Sequence, residues 1–225
     1  MKAMDVMVRS VITVTPDDSV AEAARLLAEH DISALPVVDK DGNVVGMISE
    51  ADLIRREEIG TERQRPWWLE AVTPASTLAA EFARSHGRRV AEVMSTDLVS
   101  ASEDTPLGEI ATLLERHRIK RLPILRGGKL VGIVSRSNLI QALASSQAQP
   151  ADASAASDRS IRAEVLDRLG HQSWTGFGER NVIVSHGIVH LWGLASSEAE
   201  HKALLALAEA VPGVAGVADE MIAGY

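Results

Sequence analysis

The first 140 residues contain two copies of one sequence unit, and this internal repeat constrains the fold more than any other feature of the sequence. Leu35-Pro36-Val37 returns 87 positions later as Leu122-Pro123-Ile124. Gly46-Met47-Ile48-Ser49 likewise matches Gly132-Ile133-Val134-Ser135, after one deletion in the preceding turn. A repeat that cannot cover its own apolar face stacks on its copy. We therefore expect one module with a ligand site in the cleft between the two copies.

The composition of the 225 residues, 46% of them hydrophobic, predicts a soluble globular protein with one or two cored domains. The chain contains no cysteine, which excludes disulfides and thiolate metal sites and suits a reducing compartment. Asp5 and Arg9 interrupt the start where a signal peptide needs an apolar run, and no stretch approaches the roughly 18 apolar residues of a spanning helix. We therefore expect a cytoplasmic protein. Its net charge of −8 argues against non-specific binding to nucleic acid or to an anionic membrane.

The first repeat predicts the order strand, helix, strand, strand, helix. Val11–Val14 is a short β-rich run, and Ser19-Val20-Ala21-Glu22 is a capping box that opens a helix ending near His30. Leu35–Val38 and Val44–Ile48 predict two strands around a turn, and Ser49 opens the second helix. The apolar stripe of the first helix consists of Val20, Ala23, Ala24 and Leu27.

The second repeat predicts the same order. A strand at Leu98–Ser100 precedes a helix from Thr105 to His117. Strands at Leu122–Leu125 and Leu130–Val134 follow, and the second helix runs from Ser135 to about Ala144.

A hydrophobic-proline strand followed by Gly-x-x-[Ser/Thr]-x-x-Asp occurs in both copies, complete in Gly46–Asp52 and with Asn138 replacing the acid in Gly132–Asn138. This tandem resembles a pair of cystathionine β-synthase-type (CBS) domains over residues 1–145. The resemblance implies an α/β fold with a pseudo-twofold module. It also implies an adenine nucleotide, such as ATP, ADP, AMP or S-adenosylmethionine, in the cleft, with no required cofactor.

The residues of this motif have a clear chemical use. A hydroxyl at a helix N-terminus lies where unpaired N–H groups attract phosphate, and a carboxylate accepts from ribose hydroxyls. Ser49 and Asp52 supply both groups, whereas Ser135 is followed by Asn138, which lacks the charge that strengthens such a bond. The alternative is a plain capping box, of the kind that Ser19–Glu22 and Ser197–Glu200 also form.

The densest basic run of the chain, Arg116–Arg121, lies before the proline strand of the second repeat. The resemblance implies that Lys120 points into the cleft, faced by Ser33 of the first repeat, and could meet a phosphate. We interpret Arg116 and Arg118 as surface charge at a helix C-terminus, where cations are favoured. Further candidate ligand-binding residues are Thr13, His117 and Arg121.

An insertion from Arg55 to Arg89 separates the two repeats and predicts one or two extra helices, one of them over Pro74–His86. Trp67 and Trp68 are adjacent, so they point to different sides of a helix. They predict either a dimer contact or packing on the flank of the module. The domain boundaries that we predict are 1–60 for the first repeat, 61–89 for the helical insertion and 90–145 for the second repeat.

The small polar residues of 146–157 predict a flexible linker before a separate domain at 158–225. In that domain Val182–Gly193 predicts a hairpin turning at His186-Gly187, Ser197–Val211 an amphipathic helix, and Val214 the start of a last strand. The order helix, two strands, helix, strand predicts an open α/β sandwich. A first helix is indicated by the stripe Ile161, Val165, Leu166 and Leu169, and the inward side of the second helix by Ala203, Leu204, Leu207 and Ala208.

The hairpin glycines Gly187 and Gly193 and the closing Val211–Val217 resemble a BON domain, a module of bacterial osmotic-stress and envelope proteins. Phospholipid binding is suggested for that family, but five basic against nine acidic residues in 158–225 argue against it here. We expect one face of the sheet to form either a docking patch for a protein partner or a contact with the CBS module. Its residues are Ile183, Ile188, His190 and Trp192.

The usual nucleophile, phosphate-loop and zinc motifs do not occur, so we expect no enzymatic activity. His186 and His190 would hold a metal only with a third converging ligand. The leading hypothesis is a homodimeric regulatory sensor of an adenine nucleotide, with a BON-like domain that contacts a partner. The alternatives are a structural or oligomerisation protein with an empty cleft, and association with a membrane surface.

Overall fold

The computed structural model describes residues 1–61, 66, 73–145 and 155–224. These residues divide into two compact units. The first unit comprises Met1–Ser10, Ala101–Ile124 and Val131–Tyr225, and the second comprises Val11–Ser100 and Leu125–Leu130. The helices are α1 (Ala3–Val6), α2 (Val20–Glu29), α3 (Glu50–Leu53), α4 (Ala75–His86), α5 (Val90–Val93), α6 (Leu107–Arg116), α7 (Arg136–Ser145), α8 (Ala155–Gly170) and α9 (Glu198–Glu209). The strands are β1 (Ala34–Val38), β2 (Val44–Ser49), β3 (Ala101–Ser102), β4 (Arg121–Arg126), β5 (Lys129–Ser135), β6 (Val182–Ser185), β7 (Ile188–Ala195) and β8 (Gly216–Ala223).

Local signals define the elements of the first repeat. Helix α2 begins where predicted because the Ser19 hydroxyl accepts a hydrogen bond from the Glu22 N–H at 3.0 Å. It ends at Glu29, and Asp31 just beyond it is left-handed, with φ at 49°. The following Ile32 donates to the Leu27 carbonyl at 3.0 Å. Strands β1 and β2 then pair antiparallel, as the sequence predicts.

The second repeat copies these details. Helix α6 lies 87 positions after α2 at both ends, and Arg118, with φ at 54°, ends it in the left-handed region. Ile119 donates to the Leu114 carbonyl at 3.0 Å, as Ile32 does to Leu27. The helix stop is therefore part of the repeated unit.

The segment that leads into each repeat packs on the other repeat. We call Met1–Ser10 the first leader and Val90–Ser100 the second leader. In the first unit Val8 and Ile133 exchange two backbone hydrogen bonds, at 2.9 and 3.0 Å. Gly132 makes this approach feasible, because a Cβ there would lie 2.7 Å from Met7 Sδ.

The second unit contains the matching exchange. Met47 and Ser95 exchange backbone hydrogen bonds of 2.9 and 2.8 Å. A Cβ on Gly46 would lie 2.7 Å from the Ser95 carbonyl oxygen and 3.0 Å from Met94 Sδ. The motif glycine of each repeat thus admits the backbone of a leader.

Several expectations for the repeats are wrong in detail. Val11–Val14 is not a strand, because Val14 alone bridges to Val37. The predicted strand at Leu98–Ser100 begins later, as the two residues of β3 at the edge of the β3-β4-β5 sheet. Neither run pairs with a neighbouring strand along its whole length. High β propensity alone is therefore not enough to form a strand here. Ala24, placed in the apolar stripe of α2, is exposed.

The insertion contains the helix that the sequence predicts, as α4, and a short 3₁₀ turn at Glu57–Ile59. The buried guanidinium of Arg56 holds the end of α4 by donating to the carbonyls of Arg84 at 2.8 Å and Gly87 at 2.6 Å. Trp67 and Trp68 lie outside the described residues, and so does 146–154 of the predicted linker. Helix α8 begins at Ala155, within the range expected to be linker.

Residues 155–224 form the expected helix, two strands, helix and strand. Strands β6 and β7 are antiparallel and β8 is parallel to β7. His186 and Gly187, with φ at 54° and 76°, make the two-residue turn between β6 and β7. The predicted helix stripes and the inward strand residues Val182, Val184, Val189 and Leu191 form one core. The predicted open sandwich is therefore confirmed.

The other face of this sheet packs on the second repeat within the first unit. Ile183 belongs to the core cluster that contains Val6 and Met7 of the first leader and Leu122 of β4. His190 is buried as well, and Ile188 and Trp192 are half-buried. For Ile183, contact with the CBS repeat is therefore the correct alternative, not an open docking patch.

Candidate functional site

The first half-site lies at the junction of β2 and α3 in the second unit. Ser49 ends β2, and both its N–H, at 2.9 Å, and its hydroxyl, at 2.6 Å, donate to Asp52 Oδ2. Asp52 Oδ1 has no hydrogen-bond partner within the described part of the chain. Ser33 is adjacent, since its carbonyl accepts from the Glu50 N–H at 3.1 Å. The arrangement is a capping box with one carboxylate oxygen left over.

Thr13 belongs to the same unit and is half-buried. Its neighbour Val14 is fixed between β1 residues, donating to the Pro36 carbonyl at 3.1 Å and accepting from the Val38 N–H at 2.9 Å. Thr13 therefore stands next to the backbone of β1, which also follows Ser33 in the chain.

The second half-site repeats this geometry at the junction of β5 and α7 in the first unit. The Ser135 N–H and hydroxyl donate to Asn138 Oδ1 at 2.8 and 2.7 Å. Since the amide oxygen accepts both bonds, the remaining group of this side chain is the NH₂ donor. Asn138 is only 5% exposed. The first half-site thus offers an acceptor where the second offers a donor.

The basic candidates surround the start of α7. The Lys120 carbonyl accepts from the Arg136 N–H at 3.0 Å, the relation that Ser33 has to Glu50. The Lys120 side chain is exposed, Arg121 is half-buried at the start of β4, and His117 is exposed just after α6. The structure therefore brings Lys120 beside Ser135. That Lys120 faces Ser33 stays a prediction.

The sequence reasoning missed a polar cluster between the first leader and the BON-like residues. Glu179 Oε2 accepts from the backbone N–H groups of Arg9, at 2.5 Å, and Ser10, at 2.7 Å. Arg162 Nη2 donates to the Glu179 carbonyl at 2.8 Å and to that of Met7 at 3.4 Å. The signal in the sequence that could have indicated this cluster is Arg162, a charged residue next to Ile161 on the buried side of α8.

Two further features can be stated for the residues that the structure describes. No group of three or more His, Cys, Asp or Glu side chains there could hold a metal ion. Among the same residues, no helix is both long enough and apolar enough to cross a bilayer.

Comparison with known protein families shows which family the duplicated motif belongs to. The CBS domain family matches residues 3–58 and 90–145, and the BON domain family matches residues 157–224. The chain is a CBS-domain protein with a BON domain. Both resemblances that the sequence suggested are therefore confirmed, and so is the mixed α/β fold class.

Known relatives match the CBS pair of this CBS-domain protein. The CBS domain-containing protein YhcV of Bacillus subtilis is 34% identical over 136 residues, which cover 60% of this chain and 80% of that protein. An uncharacterized protein of Methanocaldococcus jannaschii is 29% identical over 143 residues, and the match spans only 32% of its length. A crystal structure of CBSX2, an Arabidopsis thaliana protein, in complex with AMP has a TM-score of 0.55 at 28% identity. That similarity covers 64% of this chain and 96% of the chain in the crystal structure.

Proposed function

We propose that this chain is a non-enzymatic regulatory protein whose CBS pair binds an adenine nucleotide. One observation carries the proposal: Asp52 engages Ser49 through Oδ2 alone, and among the residues described no group donates to Oδ1. A ribose hydroxyl could donate to that oxygen in a charge-assisted hydrogen bond. The similar CBSX2 was solved with AMP, which makes AMP the first ligand to test.

The two half-sites are unequal under this proposal. At Asn138 the amide oxygen is occupied by Ser135, so a ribose hydroxyl could only accept from the NH₂ group. A neutral donor is a weaker partner than a carboxylate. We therefore assign the ribose contact to Asp52 and give Lys120 the role of meeting a phosphate.

The role that we propose for the BON domain is to report the state of the CBS pair to a protein partner. Support comes from its contacts with the first leader, through Glu179 and Arg162. Thr13, a candidate ligand contact, follows Ser10 by three residues. A ligand can shift such a contact only if it binds the two conformations with different affinity.

A structural role without a ligand is the second candidate, and one observation favours it. Ile54 and Ile140 stand at equivalent places after the two motifs and are 56% and 66% exposed. Large exposed apolar side chains at matching positions suit burial against a second copy. This reading needs only oligomerisation and leaves the half-sites as helix caps.

Calorimetric titration of the full chain with AMP, ADP, ATP and S-adenosylmethionine separates these candidates. Saturable binding that Asp52→Ala abolishes supports the sensor. The matched control is Glu22→Ala, since Glu22 follows Ser19 with the same capping spacing but outside the half-sites. Binding must survive in that variant. If none of the four ligands gives a binding signal, the structural role is favoured. Co-sedimentation with anionic liposomes at low salt would instead favour a membrane role.

A further inference from the structure

The first unit contains a cleft of about 780 Å³ between the first leader, α8 and the turn after β6. This volume falls in the range of roughly 300–1,000 Å³ that small-molecule sites occupy. None of the residues that line the cleft belongs to either half-site, and all of them belong to one unit. The residues that matter for its chemistry are Met4, Arg9, Arg159, Arg162, Leu166 and Glu179.

The acidic side chains in this cleft are largely compensated by protein donors. Asp158 accepts from the N–H groups of His186, at 2.9 Å, and Gly187, at 2.7 Å, with one oxygen each. Asp5 accepts from the Lys2 N–H at 2.7 Å and forms an ion pair of 2.6 Å with Arg159. Both oxygens of each carboxylate are therefore engaged.

Arg159 is paired with Asp5, whereas in the described residues the two remaining acids of the cleft form no direct ion pair with Arg9 or Arg162. Glu179 directs Oε2 to the Arg9 and Ser10 N–H groups. Asp167 is largely exposed, so solvent screens its charge.

Arg162 is the unusual group in this cleft. It is only 4% exposed, and its guanidinium donates to three backbone carbonyls, of Val182, Met7 and Glu179. Within the described ranges no carboxylate lies within 4 Å of it, and Nη1 makes no hydrogen bond. Burial and the charge of Arg9 lower the pKa of Arg162 to about 10, against the weaker attraction of Glu179 and Asp5, so the group is still charged at pH 7. A buried cation with no carboxylate in direct contact is costly.

We propose that this cleft binds a small phosphate-bearing anion through Arg162, Arg9 and Arg159. A phosphate oxygen accepts readily from guanidinium forks, and Nη1 of Arg162 is a donor without a hydrogen-bond partner among the described residues. Met4 and Leu166 supply an apolar wall for the rest of such a ligand. Because the first leader and the BON domain both line the cleft, the anion would hold them together.

The test titrates the full chain with inorganic phosphate, against sodium chloride at equal ionic strength. We expect saturable binding, which Arg9→Gln and Arg159→Gln each weaken about fivefold or more. Arg162→Lys, which keeps the charge and loses the fork, should weaken it further, with a denaturation curve showing that the variant is folded. Arg25→Gln, on α2 of the other unit, is the control and should bind as the parent does.

Two results would overturn the proposal. One is a response to phosphate that does not saturate or that chloride reproduces. The other is saturable binding that is unchanged in Arg9→Gln and Arg159→Gln but lost in Lys120→Gln, which would place the phosphate at the second CBS half-site. Neither result contradicts the binding of AMP through Asp52, and the second would support the phosphate role of Lys120, so the two proposals fail separately.

Discussion

Ser49 donates two hydrogen bonds to a single oxygen of Asp52, from its backbone nitrogen at 2.9 Å and its hydroxyl at 2.6 Å. Ser135 likewise donates two hydrogen bonds to Asn138 Oδ1, from its backbone nitrogen at 2.8 Å and its hydroxyl at 2.7 Å. The two repeats therefore keep one capping geometry with two different acceptors. This natural pair separates the capping role of the position from the ligand-binding role that we propose for Asp52.

We predict that Asp52→Asn leaves the fold intact and weakens AMP binding. Asn138 shows that an amide oxygen accepts both serine bonds, so the free energy of unfolding should change by less than about 1 kcal/mol. The amide cannot offer a charged acceptor to a ribose hydroxyl, and we expect an affinity loss of about tenfold. Urea denaturation and calorimetric titration measure the two effects. Equal AMP affinity in both proteins would contradict the ribose role of Asp52.

Gly46 should not tolerate a side chain. A Cβ there would lie 2.7 Å from the Ser95 carbonyl oxygen, which is backbone and cannot rotate away. We expect Gly46→Ala to lower the free energy of unfolding by about 1–3 kcal/mol. The control is Gly108→Ala on α6, where a Cβ meets nothing within 4 Å and should stabilise by up to about 1 kcal/mol. If thermal or urea denaturation shows the same change in the free energy of unfolding for both variants, the second leader does not approach Gly46 closely.

The elements of each repeat were predictable because their signals are local. The Ser19 capping box, the apolar spacing of α2 and the turn residues lie within a few positions of what they specify. The second copy then reproduced helix α2 as α6 at a separation of 87 residues and the strand pair β1–β2 as β4–β5. The BON core was predictable for the same reason, from alternation in β6 and β7.

The exchange of leaders was not predictable from the sequence. Met7 lies against Gly132, far along the chain, and no local pattern indicates such a contact. Arg162 was missed because its side chain satisfies carbonyls of three separate segments, which no single window of sequence contains. The candidate half-site residues come from the repeated motif, whereas the cleft lined by Arg162 can be recognised only in the folded chain.

The contact between the BON domain and the first leader should depend on the charge of Glu179. Glu179→Gln keeps an oxygen near the Arg9 and Ser10 N–H groups and removes its negative charge. Bonds to a charged acceptor are roughly twice as strong as neutral ones, so we expect a loss of about 1 kcal/mol. Hydrogen exchange of the two amides should accelerate, while that of β1 amides stays constant. Uniform acceleration would indicate global destabilisation instead.

Homodimerisation through the CBS pair should depend on Ile54 and Ile140. Each is largely exposed and follows the motif of its repeat. We expect the parent to sediment as a dimer and Ile54→Asp/Ile140→Asp to sediment as a monomer, because a buried charge without a partner opposes association. Ile222→Asp, at a 67% exposed position of the BON domain, is the control and should remain dimeric. A parent that is monomeric at every concentration rules out the dimer.

His190 should make the fold less stable in mild acid. Its side chain is 3% exposed, and the nearest carboxylate, Glu220 Oε1, lies 3.7 Å from Nδ1, beyond hydrogen-bond distance. Burial lowers the pKa of His190, and the opposing attraction of Glu220 is weaker. The native state therefore keeps the imidazole neutral, while the unfolded chain takes up a proton near pH 6.5. Because the unfolded state binds more protons there, the stabilising contribution of the neutral ring is present above pH 6.5 and is lost as the pH falls below it.

Urea denaturation of the full chain between pH 7.5 and pH 5 tests this sign, at intervals of about half a pH unit. The free energy of unfolding should fall more steeply for the parent than for His190→Leu, which cannot take up a proton. His171→Leu, at an exposed position of the same domain, should retain the parent slope. The leucine variant should also lose nothing at pH 7.5, since neither His190 ring nitrogen has a hydrogen-bond partner in the described residues. A parent slope no steeper than that of His190→Leu would show that the buried ring does not control this pH dependence.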